Sequence, residues 1–262
     1  MSITDLFEQT HHSIQEEDLI PLSKVRGVVD PSGELSDYFG LDFSFLYFSP
    51  NSLPNIVYWN EYVWVDLWSN VVEILETTKV KDTIAHFTKQ MEEFKIENGY
   101  SSIFSFLDKK PLLMIFLKYF NDIPMEQRYD VFRAIYHRLE YGFHMINDEV
   151  WDQLSVLRQY SDNWKVSLGL LHKEHGEEIR IYRGSNSKSA PLNKAWSWTT
   201  SKEVAQFFAT RFSSNGVIYE TSIPINKVFD YLPNRGEAEI LVSPQHIDLV
   251  QEEHVVKTTK RT

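Results

Sequence analysis

Three short stretches in the last third of the chain carry residues suited to chemistry. They are Ile-Tyr-Arg-Gly at 181–184, Ser-Trp-Thr-Thr-Ser at 197–201 and Glu-Ala-Glu-Ile-Leu at 237–241. Arg183 stands at the end of a predicted strand, and a guanidinium there can grip a phosphate through two parallel hydrogen bonds. Gly184 behind it lets a ligand approach the backbone closely. An edge-strand arginine in a surface ion pair has the same local sequence. Glu237 and Glu239 are two apart, so on a strand their side chains share one face, where like charges repel and burial is costly. A solvated strand edge is the alternative, but the Ile240-Leu241-Val242 run argues for a strand entering a core. Ser201, with Glu203 close behind, suits the N-cap of a helix over Lys202–Arg211, leaving Ser197 for a site.

Arginine, then serine 14 residues on, then glutamate 42 residues further resembles the layout of the arginine–serine–glutamate class of ADP-ribosyltransferases. The resemblance covers roughly residues 178–250. It includes KEVAQFFA after the serine element, which is similar to the Ala-x-x-Phe-Ala helix of many bacterial and phage members. Trp198 departs from the pattern, standing where many relatives have threonine.

The resemblance implies a compact split-sheet transferase domain with NAD as its substrate and no metal. It also implies roles. Arg183 holds the phosphates of NAD, with Gly184 beside it. Ser197 orients Glu239, which stabilises the oxocarbenium-like ribose cation and binds the nicotinamide ribose. Glu237 activates the incoming nucleophile as a general base. Tyr182 and Phe208 flank the nicotinamide, although core packing explains both as well. The loop Asp230–Gly236 recognises the acceptor, through Tyr231 and Arg235. A glutamate in the first position of the pair is typical of arginine-modifying relatives, so a protein arginine is the leading acceptor. A nucleic-acid base is the alternative, as in toxins of toxin–antitoxin and phage-defence systems, with an antitoxin as partner. Two further outcomes are NAD hydrolysis with water as acceptor, and a binding module that has lost activity.

The elements that must position these residues follow from periodicity and punctuation. Residues 60–95 show helical spacing, with a break at Lys79–Asp82 and a stop at Asn98-Gly99. Helices are predicted over 101–120, with Pro111 as a break or first-turn residue, over 125–146, from Glu149 to Tyr160 behind an Asn147-Asp148 cap, and over 163–174. A short helix is expected at Ile3–Gln9, and the aromatic, turn-rich stretch 31–56 suggests short strands or an irregular layer. From Gly176 the texture changes. IRIYRG, VIYETSIPI and EAEILVS read as strands, and Val204, Ala205, Phe207 and Phe208 mark the buried face of the helix between them. The fold class is α+β: a mainly helical region over 1–175, then a catalytic domain over 176–262.

Composition limits the function classes. The 262 residues have no cysteine, which removes disulfides, thiolate metal sites and cysteine nucleophiles. His172 and His175 have a helical zinc spacing but no evident third ligand, so a solvated helix end fits better. His11-His12 lie in a polar tail, and no phosphate-binding glycine loop is present. No apolar run reaches bilayer length and the N-terminus lacks signal-peptide character, which predicts a soluble cytoplasmic protein without a membrane partner. Residues 1–175 hold 15 basic and 27 acidic side chains, and residues 176–262 hold 11 and 10. The acidity belongs to the N-terminal part. It lowers the prospect of general phosphate-backbone binding while leaving the near-neutral catalytic part able to hold a short single strand.

Overall fold

The computed structural model describes residues 14–24, 41–49, 55–67, 77–97, 99–139, 143–187, 189–212, 215–233, 236–248 and 250–256. The expected helix at Ile3–Gln9 and the acceptor-loop residue Arg235 lie outside the described residues. The fold is α+β, with two antiparallel sheets among the described residues. The chain divides into two compact units, Met1–Leu157 and Arg158–Thr262.

The first unit contains a four-stranded sheet in sequential order: β1 (Ile20–Pro21), β2 (Leu46–Ser49), β3 (Asn55–Asn60) and β4 (Val63–Asp66). The helical spacing over 60–67 is therefore overridden. Glu61 takes a positive φ of 49° at a tight turn, and Trp59 pairs with Trp64 across the hairpin, so aromatic and β-branched cross-strand pairs decide the structure. Helix α1 (Thr77–Ile96) runs unbroken through Lys79–Asp82, where a break was expected. Pro111 separates α2 (Tyr100–Phe106) from α3 (Leu112–Lys118), as expected. Next come α4 (Arg128–Tyr136) and α5 (Asp148–Leu157). The Asn147 side chain accepts from the Val150 N–H at the start of α5, which satisfies one orphan donor of the first turn. Phe104, Phe116, Phe132 and Trp151 form a chain of ring contacts through this core.

The second unit opens with α6 (Asp162–His175), capped by the Ser161 hydroxyl. Leu171 is buried, and Leu168 packs against the same core as Ile179, Ile181, Trp198, Ile240 and Val242. This helix thus belongs with the C-terminal sheet, although the sequence boundary at 175/176 places it in the preceding region. The strands are β5 (Glu178–Ser185), β6 (Ser197–Thr199), β7 (Asn215–Pro224), β8 (Val228–Leu232), β9 (Glu239–Val242) and β10 (Gln251–Val256), with α7 (Lys202–Thr210) between β6 and β7. Their order is β10-β7-β5-β6-β9-β8. Every residue of β5 pairs with β7, whereas β5 meets β6 at one position, Tyr182 opposite Thr199. The sheet is therefore two three-stranded halves that part just beyond that pair.

Helix α7 lies very close to β5 and β7. A Cβ on Gly184 would stand 1.8 Å from the Ala205 carbonyl oxygen, and one on Gly216 would stand 2.2 Å from the Ala209 carbonyl oxygen. Small residues are thus required on both sides, and Ala205 and Ala209 form the inner face. Phe207 points away and is 59% exposed, contrary to the buried face expected for it.

Candidate active site

Arg183 is on β5 at the place where the sheet parts. Its guanidinium crosses to β6. Nη1 donates to the Ser197 carbonyl at 2.6 Å, and Nη2 reaches the Ala190 carbonyl at 3.5 Å. Two main-chain segments are thereby fixed by a group that also carries the charge needed to bind an anion.

Ser197 starts β6, and Glu239 starts β9. The register sets Thr199 opposite Glu239 and Ser197 opposite Leu241, so Ser197 and Glu239 are diagonal neighbours on one face. The Ser197 hydroxyl donates to Glu239 Oε1 at 2.5 Å, a charge-assisted contact. Glu239 is 7% exposed. Ser197 links the other two residues: its carbonyl holds Arg183 and its hydroxyl holds Glu239. Trp198, between the linking carbonyl and Thr199, faces the opposite side and fills the core.

Glu237 does not share a strand face with Glu239. The strand begins only at Glu239, and Ala238 has a positive φ of 43°, so the period-two argument fails at this pair. Glu237 instead sits half-buried in the loop before β9. Its carbonyl accepts from the Thr199 hydroxyl at 2.5 Å, the same hydroxyl accepts from the Ser201 N–H at 3.0 Å, and the Thr200 N–H donates to the Ala238 carbonyl. Thr199 is buried and fastens this loop to β6. The sequence assigned it no role; its one signal is its place inside the serine motif.

Ser201 caps α7 as expected. Its hydroxyl accepts from the Val204 N–H and donates to Glu203. Hydrogen bonds from Glu203's own backbone N–H and from Ser201 hold the Glu203 carboxyl below its ordinary range. Ser197 is left for the contact with Glu239, so cap and site fall on different serines.

The other candidates are dispersed. Tyr182 is half-buried, packed against Ala205, Ala209, Ile218 and Val255, and lies in the same cross-strand row as Thr199 and Glu239. Phe208 is half-buried, its ring 5.4 Å from that of Phe207, and its carbonyl accepts from Asn186 in the segment that follows β5. Gly184 serves the approach of α7, a need that its Cβ clash with helix backbone establishes; the ligand approach read from the sequence is not what occupies that space. Tyr231 is 7% exposed and packs into the sheet core, and burial raises its phenol above the ordinary value, with Glu174 adding to the effect. An acceptor loop starting at Asp230 is also corrected, because 228–232 is strand β8. His172 Nδ1 contacts the Gly176 carbonyl at the end of α6, in keeping with a helix-end role. Among the described residues no helix is long and apolar enough to cross a membrane.

No protein-family model matches the chain, and comparison with curated proteins and with solved structures returns no match.

Proposed function

We propose that the C-terminal unit is a mono-ADP-ribosyltransferase that cleaves NAD and transfers ADP-ribose to a macromolecule, with a protein arginine as the leading acceptor. One observation carries this reading. Residues 14 and 42 positions apart converge through Ser197, whose carbonyl accepts from Arg183 and whose hydroxyl donates to Glu239 at the parting of two half-sheets.

In the reaction, the bond between the nicotinamide nitrogen and ribose breaks and its electron pair leaves with neutral nicotinamide. Positive charge develops on the ribose, where the fixed Glu239 carboxylate stabilises it. The acceptor nitrogen then attacks the same carbon, and Glu237 takes the proton that this nitrogen gives up. Arg183 supplies the cation for the pyrophosphate.

A nucleic-acid acceptor is the second reading. It is favoured by the exposed rings of Phe207 and Phe212, with the Arg211 guanidinium 4.8 Å from the latter, a combination on which bases can stack. Incubation of a cell lysate with the protein and labelled NAD tests both. Label released by protease marks a protein acceptor and label released by nuclease a nucleic acid. Absence of nicotinamide release removes the transferase reading itself.

A further inference from the structure

We propose that Arg158, together with Trp164, is a positioning residue that holds the Ser197–Glu239 pair in register from outside the site; this rests on the transferase reading given above. The lever is a bulge in β8. Val228 pairs with Val242, but Asp230 pairs with Leu241, so Phe229 is an extra residue. Beyond it, Tyr231 pairs with Ile240 and Leu232 with Glu239. Loss of the bulge would shift the pairing by one residue, setting Tyr231 opposite Glu239 and Asp230 opposite Ile240. Such a slip exchanges the two faces of the strand. It would take Tyr231 out of the core and turn the buried Asp230 carboxylate toward it.

A bulge leaves main-chain groups outside the ladder, and buried carbonyls need donors. Arg158 Nη1 donates to the Val228 carbonyl at 2.8 Å and to the Phe229 carbonyl at 2.9 Å. Trp164 Nε1 donates to the Phe229 carbonyl at 2.9 Å. The guanidinium also lies 5.0 Å from the Trp164 ring and 5.5 Å from the Phe229 ring. On its other side Phe229 meets Trp196 edge-on at 5.7 Å. Trp196 immediately precedes Ser197, and its carbonyl accepts from the Val242 N–H. One ring at the bulge therefore touches the neighbour of Ser197, while its strand sets the register of Glu239.

The full-length protein is compared with Arg158→Met, Arg158→Lys and Trp164→Phe by steady-state nicotinamide release and by amide hydrogen exchange. Arg158→Met is expected to lower kcat by about tenfold to a hundredfold, with KM for NAD little changed, since a small displacement of a reacting group carries a cost of that order. Exchange should quicken in β8 and β9 while β5 and β7 keep their protection. Arg158→Lys, which keeps a donor and the charge, should recover part of kcat. Trp164→Phe removes the indole donor and narrows the ring beside the guanidinium, and should give the same pattern in smaller degree; it carries the test if Arg158→Met does not fold. Unchanged exchange at β8 and β9 overturns the proposal. So does full kcat despite faster exchange, and so does a uniform loss of protection across the sheet. If the unmodified protein releases no nicotinamide, the transferase reading has failed, and the exchange pattern alone decides whether Arg158 sets the register.

Discussion

Glu239 is held by a serine hydroxyl at 2.5 Å in a nearly closed environment, so its carboxyl group is fixed in one orientation. Glu239→Gln keeps the size and the contact with Ser197 and removes the charge. Loss of one preorganised electrostatic group costs about 10²–10³ in rate, and NAD cleavage should fall by at least that much with the melting temperature preserved. Near-normal turnover in a folded variant would remove Glu239 from the catalytic role. Arg183 makes a different case, because its guanidinium already serves the Ser197 and Ala190 carbonyls. A lysine keeps one charge but cannot form the two-pronged phosphate contact while holding Ser197. Arg183→Lys should therefore weaken NAD binding in calorimetry. Unchanged affinity would leave Arg183 as a link between strands and nothing more. Glu237 separates the two half-reactions. A guanidinium is almost fully protonated at neutral pH and needs a base to attack carbon, whereas water needs that help less. With an arginine acceptor, Glu237→Gln should abolish transfer while part of NAD hydrolysis survives. Equal loss of both would show that Glu237 supports cleavage itself.

Packing between α7 and the sheet decides the next scale. A methyl group at Gly184 would overlap helix backbone at Ala205 and Ala209, and backbone cannot swing aside as a side-chain end can. Gly184→Ala should lower stability by about 1–3 kcal/mol or more in denaturant titration, the usual range for forced overpacking. A loss near zero would mean that α7 docks less closely than these distances require. The same packing explains where the sequence misleads. Helical periodicity placed α7 correctly, but hydrophobicity put Phe207 inside; the approach distance admits only alanines there, and the larger ring turns outward. Tyr62, Leu67, Val71, Ile74 and Leu75 recur in the sequence at mostly helical spacings, yet the Trp59–Trp64 pair makes 55–66 a hairpin, a contact that one-dimensional spacing does not reveal. Asp230, Pro233 and Gly236 have turn chemistry, but 228–232 is a strand whose bulge is satisfied by Arg158 and Trp164, far away in sequence. Strands β5, β7 and β9 were readable because their β-branched runs agree with their pairing. The order and spacing of Arg183, Ser197 and Glu239 led to the expectation that they meet, and the structure brings these three together. The site's fastening through Thr199 and the left-handed Ala238 depends on pairing that only the fold supplies.

At the scale of the molecule, the place where the second unit begins has a physical consequence. A boundary drawn at the change of sequence texture, at Gly176, leaves out α6, whose Leu171 is buried in the sheet core, and both donors to the β8 bulge. The removed leucine alone represents a loss of roughly 2–5 kcal/mol, the range for deleting a large core side chain. The Val228 and Phe229 carbonyls would also lose the hydrogen bonds from Arg158 and Trp164, each worth about 0.5–1.5 kcal/mol net. Domain stability is only about 5–15 kcal/mol, so these losses together can exceed it. A fragment starting at Arg158 keeps the leucine, the arginine, the tryptophan and the Ser161 cap of α6. Fragment 158–262 should therefore unfold in one cooperative transition with a dispersed amide spectrum, and fragment 176–262 should show neither. Cooperative folding of the shorter fragment would make α6 an attachment instead of part of the unit. Failure of the longer one would mean that the sheet depends on Met1–Leu157.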